Sequence, residues 1–246
     1  MARFVLVHGA FGGAWCWEPV MARLRAAGHE AEAFDLPGAG ADPTPVASIT
    51  LSSYAERVCD VLEAGPPAVL TGQSMGGMAI TQAAANRPGH VAALAYTSAW
   101  LPWPGMSLLD LTHEPEAAGD QVQANLTVDG DPPVARLDVN GALSAIYNCA
   151  DPVRAREAAA KLGRQPVRPF TDPFTLPADR AEQFMALPRA YVSCLRDNAI
   201  SPAMQRRMYT LAGCDPVIEI DTDHSPWLSA TDELVAALDR IARTLA

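Results

Sequence analysis

The sequence predicts an α/β fold: a doubly wound, mostly parallel sheet that carries an inserted, mainly helical cap. Short apolar runs alternate with stretches of helical periodicity, a rhythm typical of parallel strands with helices on both faces. Between about residues 100 and 187 the rhythm breaks, and afterwards it resumes. With 246 residues, the chain is long enough for one such domain with a sizeable core.

The first part of the chain supplies most of the predicted sheet. Helical spacing of apolar residues indicates helices that follow these strands, and Ser52 or Ser53 is expected to cap the second of them. The rhythm resumes after residue 188 with two more strands and two more helices. The predicted strands are 4–7, 30–35, 68–71, 91–97, 189–195 and 216–220, and the predicted helices are 17–27, 51–64, 75–86, 201–212 and 232–245.

Prolines interrupt the segment between the two parts repeatedly, and its best helical stretches are 141–148 and 152–162. We expect no strands there. A segment of this length between two strands of one sheet is typical of an inserted cap. We therefore expect a core formed by residues 1–101 and 188–246, with residues 102–187 as the cap.

Composition excludes several classes of partner. The formal net charge is −10, which disfavours binding to nucleic acid or to an anionic membrane surface. No apolar run is long enough to cross a bilayer, and no signal peptide is evident. The five cysteines are scattered without C-x-x-C spacing, which is typical of a reducing compartment. We expect a cytoplasmic protein.

The most informative motif is Gly72-Gln73-Ser74-Met75-Gly76, which reads Gly-x-Ser-x-Gly. It lies where a predicted strand gives way to a predicted helix. A sharp turn of this kind exposes the serine hydroxyl, and the small residues on both sides permit its strained backbone. The sequence predicts that Ser74 is a nucleophile.

A nucleophilic serine needs a histidine base and an acid that orients it, and in a doubly wound hydrolase these follow the serine in the order acid, then histidine. Of the five histidines, His224 alone lies just after the last predicted strand and before the last helix. Asp197 follows the preceding strand and is the favoured acid. Asp221 and Asp223 are alternatives, but turn formation suits them better.

Acyl transfer also needs hydrogen-bond donors that face the developing oxyanion. The backbone N–H of Met75 is one candidate, because it follows the nucleophile directly. The N–H of Ala10, in the glycine-rich loop after the first strand, is the second. We interpret the neighbouring His8 as a structural residue rather than a catalytic one.

Several segments resemble the methylesterase and hydroxynitrile lyase branch of the α/β-hydrolase superfamily. The resemblance is carried by residues 4–17, 27–29, 35–38, 72–77, 197–202 with Gln205, and 223–224, and it is weak over the cap. It implies the α/β-hydrolase fold, with Ser74, Asp197 and His224 as the triad and Ala10 and Met75 as the oxyanion hole. Within the cap, residues 147–149 and 165–166 resemble bacterial members of the branch.

That branch contains two chemistries, and two positions discriminate between them. The cyanohydrin-cleaving members that the chain resembles carry a lysine after the catalytic histidine and a threonine after the first-loop histidine. Here the two positions are Ser225 and Gly9. Serine has no positive charge with which to stabilise departing cyanide, so the resemblance favours hydrolysis.

The predicted function is a serine carboxylesterase that hydrolyses a small apolar ester, with a methyl ester or lactone as candidates, through an acyl-enzyme. Two alternatives remain open: a cofactor-free C–C lyase or cyclase at the same site, and a ligand-binding receptor with negligible turnover. No metal-ligand spacing and no phosphate loop is present, so we expect no metal and no cofactor. A homodimer is an open expectation, since apolar cap residues can serve as either a contact or a lid. The expected pocket residues are Phe11, Trp100, Trp103, Met106 and Tyr147.

Overall fold

Six strands form the central sheet of the protein, which a computed structural model describes over residues 1–246. They are β1 (Arg3–Val7), β2 (Glu30–Ala33), β3 (Ala68–Ser74), β4 (Val91–Ala99), β8 (Arg189–Cys194) and β9 (Val217–Ile220). Their order across the sheet is β2-β1-β3-β4-β8-β9, and every neighbouring pair is parallel. The predicted α/β class is confirmed.

Helices cover both faces of this sheet. They are α1 (Glu18–Ala26), α2 (Leu51–Glu63), α3 (Gly76–Asn86), α10 (Pro202–Leu211), α11 (Pro226–Ser229) and α12 (Thr231–Leu245). The side chains of β1 show how the two faces are filled. Val5 and Val7 belong to the apolar core that contains α2 and α3, whereas Phe4 and Leu6 belong to the core that contains α1 and α12. Successive side chains of a strand point to opposite faces, so a continuous apolar run is buried on both.

The start of α2 differs from the expectation that Ser52 or Ser53 caps it. Thr50, not Ser52 or Ser53, is the residue that caps this helix. Its backbone is extended, its hydroxyl accepts the N–H of Ser53, and the Ser53 hydroxyl accepts the N–H of Thr50 in return. Thr50 and Ser53 therefore form a capping box, with Thr50 as the cap and Ser53 as the third helical residue. The helix begins at Leu51, so Ser52 and Ser53 lie inside it.

Residues 102–187, called the inserted segment below, add no strand to the central sheet. They contain helices α4 (Leu108–Thr112), α5 (Gln121–Asn125), α6 (Val139–Ala145), α7 (Pro152–Ala159), α8 (Arg168–Thr171) and α9 (Ala181–Met185). The expectation of a segment without strands was wrong. A small antiparallel sheet is formed by β5 (Leu126–Asp129), β6 (Val134–Leu137) and β7 (Gln165–Pro166).

The small sheet was missed because its strands are short and the turn-forming residues dominate the local pattern. Gly130 has a positive φ of 85° and starts the connection between β5 and β6, which continues through two prolines. Such a cluster predicts a loop but does not indicate that the flanking residues pair. Pairing with β7, about 30 residues later, is a tertiary contact.

The parallel arrangement decides where the predicted functional residues meet. Because β1, β3, β4, β8 and β9 all run in the same direction, their carboxyl ends lie at one edge of the sheet. Loops at this edge form the ligand sites of open α/β sheets. None of the helices is both long and apolar enough to span a membrane.

Candidate active site

Ser74 is the last residue of β3 and has a positive φ of 54°. This left-handed conformation is costly for a residue with a side chain, and it turns the chain sharply into α3. Gly76 permits the turn, since a Cβ atom there would lie 2.7 Å from the carbonyl oxygens of both Val7 and His8. The strained turn is thus packed directly against the end of β1, and the Ser74 side chain faces a cavity.

The imidazole of His224, in the loop after β9, meets the carboxylate of Asp197, in the loop after β8. The distance from His224 Nδ1 to Asp197 Oδ2 is 2.8 Å, and both side chains are buried. The Nδ1–H donates to the carboxylate, which leaves Nε2 as the unprotonated nitrogen of the neutral ring. No direct hydrogen bond joins Nε2 to Ser74, although both residues line the same cavity.

Both carboxylate oxygens of Asp197 accept several hydrogen bonds. Its Oδ1 accepts the backbone N–H groups of Ala199 and Ile200, at 2.7 and 2.9 Å. Its Oδ2 accepts Ser98 Oγ and Gln205 Nε2 in addition to the imidazole. The carboxylate is fixed by four donors besides His224, so its orientation toward the ring is set before any ligand enters.

Burial and neighbouring charge shift the pKa of His224 in opposite directions. Burial disfavours the charged imidazolium, but the negative charge of Asp197 and its hydrogen bond favour it, with smaller contributions from Asp120 and Asp223. The net effect raises the pKa of His224 above its usual value. An imidazole with a raised pKa is a stronger base than free histidine and accepts a proton from a hydroxyl more readily.

The two alternative acids do not contact the imidazole. Asp223 Oδ1 accepts the N–H of Ser225 and the hydroxyl of Ser229, and its Oδ2 accepts the N–H of Cys149. Asp221 is exposed and forms an ion pair with Arg196 at 2.8 Å. Both residues therefore shape the loop around His224, as turn formers do.

The two candidate oxyanion donors, the N–H groups of Ala10 and Met75, make no hydrogen bond to any protein group. Both residues line the cavity beside Ser74. Unpaired backbone donors are rare in protein interiors, and here two of them flank a strained serine. The arrangement can bind a negatively charged oxygen.

Both ring nitrogens of His8 form hydrogen bonds to backbone groups. Its Nδ1 donates to the carbonyl oxygen of Gly9 at 2.8 Å, and its Nε2 accepts the N–H of Leu36 at 3.1 Å. Burial lowers the pKa of His8, against weaker opposing effects of the Gly9 hydrogen bond and the Asp35 charge. A neutral, doubly bonded imidazole holds the loop in shape and has no free nitrogen for proton transfer.

The cavity has a volume of about 140 Å³, measured as the space open to the centre of a water molecule. Fifteen of its 24 lining residues are hydrophobic, so it suits a small, predominantly apolar ligand. No Lys, Arg or Glu lines it, and its single carboxylate is that of Asp120. An anionic substrate would therefore find no lysine or arginine in this site.

The inserted segment supplies part of the cavity wall. Of the expected pocket residues, Phe11, Trp100 and Tyr147 line the cavity. Trp103 and Met106 do not, which corrects that expectation. Trp103 lines a separate surface groove, where the guanidinium of Arg207 lies over its ring. Met106 packs on the core, and its backbone pairs with Phe174.

Three residues of the site were not assigned a role from the sequence. Ser98 contacts both Asp197 Oδ2 and His224 Nδ1. Gln73 donates from Nε2 to the carbonyl oxygen of His224. Asp120, in the inserted segment, lines the cavity. For Gln73 the motif itself gave a signal, because the residue before the nucleophile is necessarily close to it.

Comparison with known proteins places this geometry in a family. A family model described as "Alpha/beta hydrolase family" matches residues 4–237. The chain belongs to the α/β-hydrolase family. The resemblance noted in the sequence is therefore confirmed, and the expected class of enzyme, a carboxylic ester hydrolase, is confirmed by relatives of that class.

Two relatives of this α/β-hydrolase cover almost its whole length. Polyneuridine aldehyde esterase from Rauvolfia serpentina is 31% identical over 96% of the chain and 94% of its own. Methyl jasmonate esterase 1 from Vitis vinifera is 30% identical over 98% of the chain and 97% of its own. A crystal structure of polyneuridine aldehyde esterase superimposes with a TM-score of 0.86 at 27% identity, covering 98% and 99% of the two chains.

Proposed function

We propose that the protein is a serine carboxylesterase that hydrolyses a small apolar ester through an acyl-enzyme. One observation carries the proposal. A strained serine, a histidine whose second nitrogen is bound by a buried carboxylate, and two unpaired backbone N–H groups surround a single cavity. Each of these features is needed for acyl transfer, and acyl transfer uses all of them together.

In this mechanism Ser74 Oγ forms a bond to the ester carbonyl carbon while His224 Nε2 takes the hydroxyl proton. The N–H groups of Ala10 and Met75 bind the oxyanion. When the tetrahedral intermediate collapses, the carbon–oxygen bond to the alcohol breaks and His224 returns the proton to the leaving alkoxide. Water then repeats the sequence on the acyl-enzyme. Asp197 keeps the imidazole in the tautomer that both steps require.

The cavity supports the class of substrate. Its small volume and apolar wall suit a short or compact ester, and the absence of a lining cation disfavours substrates with a carboxylate or phosphate. One relative is named as an esterase of methyl jasmonate, a methyl ester. We propose a methyl ester or a lactone as the substrate, with residues 102–187 as the cap that closes the site.

The structure around Gly9 favours hydrolysis over the lyase alternative. A Cβ atom at this position would lie 2.8 Å from Ser74 Cβ and 2.4 Å from Gln73 Oε1. A threonine, which the resembling cyanohydrin-cleaving members carry here, would displace the nucleophile. The lining residue after His224 is Ser225, which offers no positive charge for a departing anion.

We also propose a cytoplasmic location. All five cysteines are free thiols, which is the state maintained in a reducing compartment. A homodimer remains a prediction of the sequence, and sedimentation of the purified protein tests it.

The deciding experiment compares wild type with Ser74→Ala on p-nitrophenyl esters of increasing acyl length and on a fluorophosphonate probe. We expect loss of about 10⁴-fold in kcat and complete loss of labelling. Ser52→Ala is the matched control, because Ser52 is exposed on α2, far from the cavity. It should retain both signals.

The remaining outcomes separate the alternatives. Labelling of Ser74 without turnover of the p-nitrophenyl esters would indicate a reactive nucleophile whose substrate is of another class. Ester turnover that survives in Ser74→Ala would overturn the acyl-enzyme mechanism, and silence in both assays would leave the lyase and the receptor as alternatives. Absence of both signals, with ligand-induced stabilisation, would indicate a receptor.

A further inference from the structure

The cavity contains one charged group that the proposed mechanism does not use, the carboxylate of Asp120. The residue precedes α5 in the inserted segment and is half-buried. Its Oδ1 accepts the backbone N–H groups of Val122 and Gln123, at 2.8 and 3.2 Å. Its Oδ2 has no hydrogen-bond partner in the protein, and the side chain lines the cavity.

Asp120 is held close to the proposed catalytic residues. The next peptide in the chain, the N–H of Gln121, donates at 2.9 Å to the carbonyl oxygen of Asn198, which directly follows Asp197. The charges of Asp120 and His224 also influence each other, each favouring the ionised form of the other. The carboxylate therefore belongs to the same end of the cavity as the imidazole.

The surroundings of Asp120 are poorly suited to an unpaired negative charge. Burial raises its pKa to about 6, against the opposing effect of the two backbone hydrogen bonds and of His224. No Lys or Arg lines the cavity to neutralise it. A half-buried charged acceptor with a free lone pair gains from a ligand that brings an N–H or O–H donor, and it repels an anion.

We propose that Asp120 determines the specificity of the site, and that the natural substrate is an ester whose otherwise apolar acyl part carries one hydrogen-bond donor, a hydroxyl or an ammonium group. Asp120 Oδ2 accepts that donor while Ser74 attacks the carbonyl. This inference rests on the proposed esterase function and adds the chemistry of the substrate to it.

The test uses four methyl esters of similar size. Methyl 3-methylbutanoate is apolar, methyl 3-hydroxybutanoate carries a hydroxyl, methyl 3-aminobutanoate carries an ammonium group, and monomethyl succinate carries a carboxylate. The measured quantity is the kcat/KM of each ester divided by that of the apolar ester, within each variant. This ratio cancels any effect of a mutation on His224 that is common to all substrates.

We expect wild type to prefer at least one donor-bearing ester and to disfavour monomethyl succinate. In Asp120→Asn the ratio for the preferred donor ester should fall by about 10-fold to 100-fold, with the larger loss for the ammonium ester. Asparagine retains the oxygen that caps α5, so the fold is kept. The matched control is Asp138→Asn, since Asp138 caps α6 in the same way but is exposed and outside the cavity.

A wild type without preference for either donor ester, or an unchanged ratio in Asp120→Asn, would overturn the inference. The relative effect on the hydroxyl and ammonium esters identifies which donor the site takes. If wild type hydrolyses none of the four esters, the proposed function fails on this panel, and the role of Asp120 is then tested by binding. Calorimetry measures the Kd of each donor ester for Ser74→Ala and for Ser74→Ala/Asp120→Asn. A higher Kd in the double variant supports the inference, and equal Kd values would overturn it.

Discussion

Gln73 Nε2 donates a hydrogen bond of 2.9 Å to the carbonyl oxygen of His224, so the residue before the proposed nucleophile holds the backbone of the proposed base. Both residues are buried. The contact joins the turn after β3 to the loop after β9, and it fixes the distance between the two halves of the site. Its loss would leave a buried carbonyl oxygen without a partner.

Replacing Gln73 by leucine tests this link. Leucine is close in volume but has no donor, so the loop that carries His224 should lose its anchor. We expect kcat/KM for a p-nitrophenyl ester to fall about tenfold or more. Gln82→Leu is the control, because Gln82 is a buried glutamine that donates to the carbonyl of Thr175, away from the cavity. Equal losses in the two variants would argue against a specific role of Gln73.

Ser98 is predicted to tune the basicity of His224. Its hydroxyl donates to Asp197 Oδ2, the same oxygen that accepts the imidazole Nδ1–H. Removing this donor leaves more negative charge on the oxygen, which raises the pKa of His224 further. In Ser98→Ala the acidic limb of the pH dependence of kcat/KM should therefore move to higher pH.

The backbone of Ser98 requires a second variant. Its φ of 41° is unfavourable for alanine, so a loss of activity in Ser98→Ala could arise from strain. Ser98→Gly removes the hydroxyl without that cost. A shift of the acidic limb shared by both variants assigns the effect to the hydroxyl, and a shift confined to alanine contradicts the prediction.

Asp197→Asn should reverse the tautomer of His224. The Oδ1 position is held by the N–H groups of Ala199 and Ile200, so the asparagine oxygen takes that position and its NH₂ group faces the imidazole. The ring must then accept at Nδ1 and carry its proton on Nε2, where it cannot take one from Ser74. We expect kcat to fall by about 10³-fold to 10⁴-fold. A fall of less than tenfold would contradict the proposed role of Asp197.

Asp120 should make the stability of the protein depend on pH. Burial raises its folded-state pKa to about 6, above the value of an aspartate in an unfolded chain. The folded state therefore binds this proton more tightly. The stability that the protonated carboxyl contributes is fully present below the unfolded-state pKa of about 4 and is lost as the pH rises through about 6. Asp120→Asn should raise Tm relative to wild type more at pH 8 than at pH 5. An equal change at both pH values would contradict the assignment.

Local patterns were sufficient to predict the fold. Apolar runs and helical periodicity depend on neighbouring residues, and each central strand and every flanking helix except the four-residue α11 was predicted to within a few residues of its bounds. The error at Thr50 has a similar local origin, because three of the four residues 50–53 carry a hydroxyl that can cap a helix. The strands of the inserted segment were missed because their pairing is decided by residues distant in sequence.

For the candidate site, too, local sequence determined some features and tertiary packing determined others. The sequence alone determined the order of Ser74, Asp197 and His224, because parallel strands bring their carboxyl ends to one edge whatever the details of packing. Only the tertiary structure decided that Ser98 and Gln73 contact His224, across 126 and 151 positions of sequence. It also decided which residues of the inserted segment reach the cavity. Side-chain hydrogen bonds and cavity walls depend on packing between distant segments, and no local periodicity encodes that packing.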